Sequence, residues 1–436
     1  MKWRFAGGIL APLGVRDFRL LFSGQMISTL GDAFYAVALP WLVLTSSGSA
    51  QELGIVLTAY GVPRVGSILL GGALSDRLRP RRVMLLADGV RALLVGALAL
   101  LALWGHPNLW QLCAIAVPLG TCEGLFLPAS FAMMPEVLHD DDLQAGNALS
   151  TSSTQLATLL GSGIAGIVVG TLQSGVALAL DALSFVVSAI SLVAMRTRRQ
   201  AVAAKTAEPN LSEPLNLPGG VLTVPESGNV ADTDSTRNDL PEQDITFWQL
   251  LRTSQVLQGG FVVVVVANLI FGGMLEVALP ALAHGQLAAG ASGFGLMLSA
   301  FGAGALIGGL GSGLLGKLPH RALIALLMGL IQSFTVVTIP FGGLIGATLS
   351  MAAMGVCNSV SNVLFLTIIQ QYFPRHLLGR IMGLFLFASF GSYPLSVALA
   401  GFVTERFGPV ILFPVCGAAL FLAIMFGLSR RELREL

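Results

Sequence analysis

The stretch GALSDRLRPRR at positions 72–82 lies between two apolar runs, each long enough to cross a lipid bilayer. Its four arginines predict a cytoplasmic loop, because Lys and Arg in short loops stay on that side of a membrane. Its one acid, Asp76, directly follows a helix of small residues, which indicates more than an anchoring role. A similar Gly-rich approach returns near Gly313. The pair of stretches predicts a membrane transporter.

The composition supports a membrane protein. Of 436 residues, 54% are hydrophobic and only 11% are charged, against about 25% charged in soluble domains, and the mean hydropathy is +0.80. A net charge of +1 with basic residues spread along the chain gives no reason to expect a nucleic-acid partner. The four cysteines are far apart inside apolar runs, so they indicate packing rather than disulfides or a metal site.

Apolar runs of about 20 residues predict an all-α protein with twelve transmembrane helices. The short loops on the side of the chain termini hold the basic residues, and the opposite loops hold none apart from Arg406. Both termini are therefore predicted to be cytoplasmic, in a multi-pass protein of a bacterial inner membrane. The predicted spans are 18–45, 52–74, 83–104, 110–135, 145–172, 174–195, 255–283, 292–315, 321–342, 344–373, 377–404 and 408–428.

A polar segment divides the spans six and six. Residues 197–250 carry Pro, Ser, Asn, Thr and eight acids between Glu208 and Asp244, which predicts a solvated, disordered linker. The predicted organisation is an N-terminal segment at 1–17, a six-helix bundle at 18–196, the linker at 197–250, a second six-helix bundle at 251–428 and a tail at 429–436.

The two halves match when the second is moved back by 241 positions. Gly54 then falls on Gly295, Gly61 on Gly302 and Gly72 on Gly313. A further match pairs Gly120-Thr121-Cys122 with Gly355-Val356-Cys357 in the fourth span of each half. The spans therefore form two pseudo-repeats.

With twelve spans, a central linker and a G-x-x-x-D-R loop after span 2, the whole chain resembles the major facilitator superfamily. Within it, four segments resemble the drug and siderophore exporters that include the enterobactin and macrolide exporters. Span 5 has Gly161-Ser162 where those exporters commonly have Gly-Pro, and Arg79-Pro80 also departs from the family loop. The four segments are RDFRLLFSGQMISTLGDAFYAVALPWLVL at 16–44, GGALSDRLRPRRVMLLADGVRA at 71–92, FLPASFAMMPEVL at 126–138 and LLGSGIAGIVVG at 159–170.

Charged and amide side chains inside the spans are the most specific functional signal. Each charge costs about 2.5 to 3.5 kcal/mol on insertion scales and therefore usually faces a partner or water. The resemblance implies that spans 1, 4, 7 and 10 line a central cavity, where substrates of such transporters bind. The candidates for this cavity are Asp32, Arg64, Glu123, Asn268, Glu276 and Asn358.

Asp32 and Glu123 are the candidates for proton coupling. Two carboxylates opposite one guanidinium, Arg64, leave one surplus negative charge, so one carboxyl should readily bind a proton or a cationic substrate. Asp32 has the alternative of a structural hydrogen bond to Ser28 or Thr29. Glu123 has the alternative of a fixed ion pair with Arg64, in which case Asp32 is the better proton carrier.

Three further charges receive structural interpretations. Asp88 and Arg91 are one helical turn apart, and a structural pair near the cytoplasmic end of span 3 is favoured over a role in the transport path. Asp181 in span 6 is interpreted as a packing hydrogen bond.

The resemblance also implies a cytoplasmic gate. It places Asp76 and Arg77 near the start of span 11, where Arg380 and the helix N-terminus would both favour a carboxylate. Five aromatic residues are candidates for an apolar wall around a bulky organic substrate: Phe34, Tyr35, Phe126, Phe131 and Phe271.

The predicted function is a secondary active transporter, a proton-coupled exporter of a small lipophilic organic molecule such as a drug, macrolide or siderophore. Its predicted partners are that molecule, protons and the lipid bilayer, and a monomer is expected. A lipid or metabolite facilitator on the same fold is the alternative. A membrane-embedded transferase is remote because the five histidines are scattered over both sides. No nucleotide motif is present, so neither a cofactor nor a metal is expected.

Overall fold

The computed structural model describes residues 10–77, 79–105, 107–195, 254–315, 321–373 and 375–430, with the backbone alone at 69, 71–77, 140, 313–315 and 375–376. The predicted linker at 197–250 lies outside these residues. So do residues 1–9 of the predicted N-terminal segment and 431–436 of the predicted tail.

Twelve long helical segments make up the described part of the chain, and by length and composition eleven of them are apolar enough to cross a membrane. The twelfth is α2, whose side chains at 69 and 71–77 lie outside the described residues. The twelve-helix prediction is confirmed. The segments are α1 Arg16–Ser47, α2 Ala50–Arg77, α3 Pro80–Trp104, α4 Leu109–Val137, α5 Asp140–Leu172, α6 Ser174–Ala194, α7 Gln255–His284, α8 Gly290–Leu315, α9 Arg321–Thr338, α10 Gly343–Tyr372, α11a Arg375–Gly391 with α11b Tyr393–Phe407, and α12 Leu412–Ser429.

Short connections make consecutive helices antiparallel. We call the side with Arg16 and Ser429 the terminal side, and the other the distal side. Helices α1–α6 form one bundle and α7–α12 the other. The pseudo-repeat is visible in the packing, because a Cβ at Gly120 would collide with the carbonyl of Tyr60, and one at Gly355 with that of Phe301. Tyr60 and Phe301 are 241 positions apart, as the sequence match requires.

Two predicted spans are not continuous α-helices. In α7 a π-helical turn covers Met274–Ala278. It precedes Pro280, which lacks an amide hydrogen and whose ring crowds the carbonyl four residues earlier. Span 11 is interrupted for one residue at Ser392, just before Pro394, which lacks an amide hydrogen, although the backbone of Ser392 stays in the helical region. Proline thus explains both departures from the predicted continuous spans.

The two bundles meet along two glycine seams near the distal side. In the α5–α8 seam, a Cβ on Gly166 would lie 2.9 Å from the Cα of Gly295. In the α2–α11b seam, a Cβ on Gly54 would lie 3.0 Å from the Cα of Gly401. Small residues allow this backbone contact. The seams are equivalent under the pseudo-repeat, since Gly54 corresponds to Gly295.

Each seam also has hydrogen bonds to the opposite helix. At the start of α2, Ser49 Oγ and the backbone amide of Gln51 donate to Glu405 of α11b, at 3.1 and 3.3 Å. Ser299 of α8 donates to the carbonyl of Leu159. Thr58 of α2 lies 3.4 Å from the carbonyl oxygen of Pro394, in addition to its bond within α2. The ring of Trp41 meets that of His284 edge-on, at the distal ends of α1 and α7. The described contacts between the bundles are therefore concentrated on the distal side, which is closed.

Candidate functional site

Arg91 is the centre of a cluster of charged side chains inside the N-terminal bundle. Its Nη2 lies 3.0 Å from Asp32 Oδ1 and 2.6 Å from Glu123 Oε2. Its Nη1 lies 3.7 Å from Asp88 Oδ1. The guanidinium carbon is 4.1 Å from the centre of the Phe185 ring. Three carboxylates and an aromatic face thus hold one buried guanidinium in place.

Arg64 extends the cluster toward the C-terminal bundle. Its Nη2 lies 3.6 Å from Glu123 Oε1, so Glu123 bridges two arginines. The guanidinium of Arg64 also lies 5.2 Å from the ring centre of Phe390 in α11a. Each of these side chains stands near the middle of its helix, at the depth of the bilayer centre.

The carboxylates of the cluster differ in access. The side chain of Asp32 is 44% exposed, that of Glu123 is 20% exposed, and that of Asp88 is fully buried and accepts a hydrogen bond of 2.7 Å from Ser188. Three carboxylates against two guanidiniums leave one negative charge in excess when all are ionised. Asp181, also buried, lies nearby with its Oδ2 unpaired and its backbone carbonyl bonded to Ser184.

These contacts change the interpretation of three residues. Asp32 pairs with Arg91, whereas Thr29 donates to the carbonyl of Gln25, so the suggested structural bond from Asp32 to Ser28 or Thr29 is not among the described hydrogen bonds. Asp88 and Arg91 do pair, as predicted, but Arg91 also joins both candidate proton carriers. The position of Arg91 in its helix could have revealed this wider role, because Arg91 is the twelfth of the 25 residues of α3 and therefore lies near the middle of the span.

A cavity of about 630 Å³ opens beside the cluster and extends into the C-terminal bundle. Its walls come from α7, α9, α10, α11a and α12, with Arg64 and Val65 of α2 at the boundary between the bundles. Of the six candidates for a central cavity, Arg64, Asn268, Glu276 and Asn358 line this cavity, and Asp32 and Glu123 do not.

Hydrogen bonds link two of these cavity residues to α11. Tyr393 donates its phenolic hydrogen to Glu276, which places the carboxylate of the π-helical turn against the break in span 11. Asn268 donates to the carbonyl of Val264 at 2.9 Å and approaches Ser389 Oγ at 3.4 Å. Tyr393 was not among the predicted site residues. The neighbouring Pro394 was the sequence signal that could have indicated an interruption of span 11 at this position.

Of the predicted wall residues, Phe271 lines the cavity. Phe34 is buried in the apolar core and does not line the cavity. Phe126 lies with its ring centre 5.4 Å from the guanidinium carbon of Arg91, in the charge cluster. The other aromatic rings of the wall, Phe365, Phe385 and Phe390, were not predicted.

Of the three predicted gate residues, only Arg380 has a described side chain. The backbone of Asp76 and Arg77 ends α2, and their side chains lie outside the described residues. Arg380 is exposed near the terminal end of α11a.

Comparison with known proteins agrees with this architecture. The family model of the Major Facilitator Superfamily matches residues 21–397. The multidrug efflux pump Tap of Mycobacterium tuberculosis strain H37Rv is 24% identical over 435 residues, covering 96% of this chain and 94% of Tap. The enterobactin exporter EntS of Shigella boydii is 26% identical over 426 residues, covering 96% of this chain and 92% of EntS.

Solved structures share the fold at low sequence identity. A bacterial homologue of the iron transporter ferroportin, in an inward-facing state, has a TM-score of 0.66 at 14% identity over 95% of this chain and 98% of its own. A POT family transporter with 5-aminolevulinic acid has a TM-score of 0.68 at 13% identity over 96% of this chain and 97% of its own.

Proposed function

This chain belongs to the Major Facilitator Superfamily and is a multi-pass membrane transporter, and from that premise we propose that it exports small lipophilic organic molecules in exchange for protons. It does so by alternating access, as a monomer in a bacterial inner membrane. Export as the direction is supported by the similarity to Tap, a multidrug efflux pump, and to EntS, an enterobactin exporter.

The observation that carries the proposal is the position of Arg64. It pairs with Glu123 in the charge cluster and also lines the cavity, so it belongs to both. A change of charge in the cluster therefore alters the electrostatics of the cavity. Such a shared residue supports coupling between proton and substrate.

Asp32 is the favoured proton carrier. It is the most exposed carboxylate of the cluster, and it binds Arg91 through one oxygen. A proton on Asp32 cancels the excess negative charge and removes its attraction to Arg91, while Glu123 keeps Arg91 and Arg64 paired. Proton uptake would thus free α1 from α3 without leaving a buried arginine unpaired.

The closed distal seams support a state in which the cavity faces the terminal side, which is the cytoplasmic side in the predicted topology. Export then requires the α5–α8 and α2–α11b seams to part. The gate formed by Asp76, Arg77 and Arg380 is the proposed closure on the terminal side while the distal side is open.

The test is transport by the full-length protein in proteoliposomes, with and without an imposed pH gradient. We expect gradient-driven export of a lipophilic dye by the wild type and loss of the gradient's effect in Asp32→Asn. The matched control is Asp141→Asn, because Asp141 is exposed at the start of α5 and outside the cluster.

The outcomes separate the candidate functions. Transport by the wild type that ignores the pH gradient would identify a facilitator and overturn the proton-coupled model. Retained proton-driven transport in Asp32→Asn would move the carrier to Glu123, which Glu123→Gln would then test.

A further inference from the structure

The cavity occupies, in the second repeat, the place that the charge cluster fills in the first. Asp88 and Arg91 of α3 correspond, 241 positions later, to Gly329 and Gln332 of α9, both of which line the cavity. The two helices also begin 241 positions apart, at Pro80 and Arg321.

The fourth helix of each repeat shows the same exchange. Gly120 and Gly355 pack on equivalent carbonyls, and in that register Glu123 corresponds to Asn358. A buried carboxylate, a guanidinium and a second carboxylate are thus replaced by glycine and two amides. Because glycine and the shorter, unpaired amides occupy less space, the second repeat keeps a hollow where the first has an ion cluster.

The amides of this hollow are not satisfied by the described protein. Gln332 is 4% exposed, and its Nε2 has no hydrogen-bond partner among the described residues. Asn358 and Asn362 line the same cavity and make no side-chain hydrogen bond within the described ranges. A buried polar group without a partner costs about 1 to 3 kcal/mol, so this end of the cavity favours a ligand that provides one.

The chemistry at this end is uncharged. Amides donate and accept hydrogen bonds equally well. The neighbouring walls are apolar, with Leu326, Phe365, Leu420 and Ile424. The charged groups of the cavity, Arg64 and Glu276, come from α2 and from the π-helical turn of α7, on other walls than α9. A cation or anion would therefore lose hydration beside Gln332 without gaining a counter-charge.

We propose that the cavity binds the uncharged, carbonyl- or hydroxyl-bearing end of the transported molecule, with Gln332 and Asn358 as its hydrogen-bond partners and the apolar walls around its body. This inference rests on the proposed function, and it narrows the substrate class from lipophilic cations to neutral amides, esters and polyols with an apolar or aromatic body. Cation binding at the same place is the competing outcome.

Equilibrium binding to the purified full-length protein in lipid nanodiscs tests the proposal. The probes are chloramphenicol, a neutral aromatic amide with two hydroxyls, and tetraphenylphosphonium, a lipophilic cation that cannot hydrogen-bond. We expect Gln332→Leu and Asn358→Leu each to weaken chloramphenicol binding about two- to tenfold, the effect of one neutral hydrogen bond. Tetraphenylphosphonium binding should stay unchanged in both variants.

Two further variants locate the effect. Ala325→Leu should weaken chloramphenicol binding by filling the cavity that Ala325 lines. Ser333→Ala is the matched control, because Ser333 neighbours Gln332, donates to the carbonyl of Leu330 and does not line the cavity. It should bind chloramphenicol like the wild type.

Absence of saturable chloramphenicol binding to the wild type would overturn the proposal, as would binding that Ala325→Leu leaves intact. Equal weakening of both probes by Gln332→Leu would overturn the hydrogen-bonding role. Binding that follows the expected pattern in a protein whose transport ignores the pH gradient would uphold the pocket and reject only the proton coupling.

Discussion

The guanidinium of Arg91 has three carboxylates around it, and this arrangement determines what its removal should cost. In Arg91→Leu, the fully buried Asp88 keeps only its bond from Ser188. Breaking a buried ion pair on one side costs about 3 to 5 kcal/mol, because the other charge stays buried. We expect Arg91→Leu to lower the thermal unfolding midpoint of the purified protein strongly.

The double variant Arg91→Leu with Asp88→Leu is the matched control. Replacing both with apolar side chains removes the fully buried charge of Asp88 and leaves only the partly exposed Asp32 without its partner, so much of the lost stability should return. Proton-driven transport should not return, since Arg91 also holds Asp32 and Glu123. A single variant as stable as the wild type would show that Arg91 is not held by these contacts.

At this scale the sequence predicted which residues carry charge at mid-depth and two of their pairings, Asp88 with Arg91 and Arg64 with Glu123, but not that Arg91 also joins Asp32 and Glu123. Asp32, Glu123 and Arg64 stand out because charges are rare in apolar spans, and the structure brings them into one cluster. The central role of Arg91 was not predicted, because a pair with Asp88, one turn away in the same helix, already accounts for its charge. Its bonds to α1 and α4 depend on which way each helix faces. These spans are apolar on every side, so their sequence pattern does not specify that orientation.

Among the elements, α7 and α11 are each interrupted where they meet. Gly273 donates its backbone amide hydrogen to Ser396 at 2.7 Å, Ser396 donates to the carbonyl of Leu269, and Tyr393 donates to Glu276. Side chains thus satisfy backbone groups beside the interruption. Broken helices are tolerated inside a membrane only with such partners.

Tyr393→Phe should loosen this junction. The change removes the hydroxyl that donates to Glu276, and a hydrogen bond to a charged group contributes about 1.5 to 3 kcal/mol. We expect thermal stability to fall by at most that amount, measured on the purified protein. Tyr35→Phe is the control, because no side-chain hydrogen bond of Tyr35 is among those of the described residues. Equal stability of both variants would contradict the assigned bond.

Pro280 and Pro394 were visible in the sequence, yet their consequences were not predicted. A proline inside a membrane helix produces a bend, a π-helical turn or a complete break, depending on which neighbours satisfy the freed carbonyl. Here the partners beside the π-helical turn are Ser396, which bonds to the carbonyl of Leu269, and Tyr393, which bonds to the side chain of Glu276. Both lie more than a hundred positions from the turn. The outcome is therefore set by tertiary contacts.

For the whole molecule, the glycine seams should control which side is open. A Cβ on Gly166 would lie 2.8 Å from the carbonyl oxygen of Ala291, where only backbone can move away. Overpacking of this kind costs about 1 to 3 kcal/mol, enough to shift an opening equilibrium roughly 5- to 150-fold. Gly166→Ala should therefore favour the state that is open on the distal side.

The measurement is labelling of Ser162→Cys by a membrane-impermeant maleimide added on the distal side, with the four native cysteines replaced by alanine. Ser162 is 3% exposed in the α5–α8 seam, so its labelling reports opening. Gly170→Ala, one turn away, is the control, because its Cβ would have only ordinary contacts at 3.7 Å or more. Equal labelling rates in both variants would show that the seam does not limit opening.

The overall architecture was the most predictable part. The twelve spans are predictable because a bilayer requires long apolar runs, and the offset of 241 positions is predictable because the two halves keep matching glycines. The packing of Gly120 on Tyr60 and of Gly355 on Phe301 agrees with both. The closed distal side and the hollow in the second bundle were not predicted. Each depends on how the bundles lean against one another and on side-chain volumes summed over five helices.

The two seams also bear on the speed of the working cycle. Across them, Ser299 bonds to the carbonyl of Leu159 and Thr58 approaches that of Pro394. Glu405 accepts hydrogen bonds from the start of α2, and glycines pack against the backbone of the opposite helix. The carbonyls involved are held within their own helices, so parting the seams strands no buried backbone group. Because the seams close by dispersion and a few hydrogen bonds that water can replace, they can close again at every turnover without an energy source of their own. The proton gradient then need only shift the equilibrium between the closed and the open state.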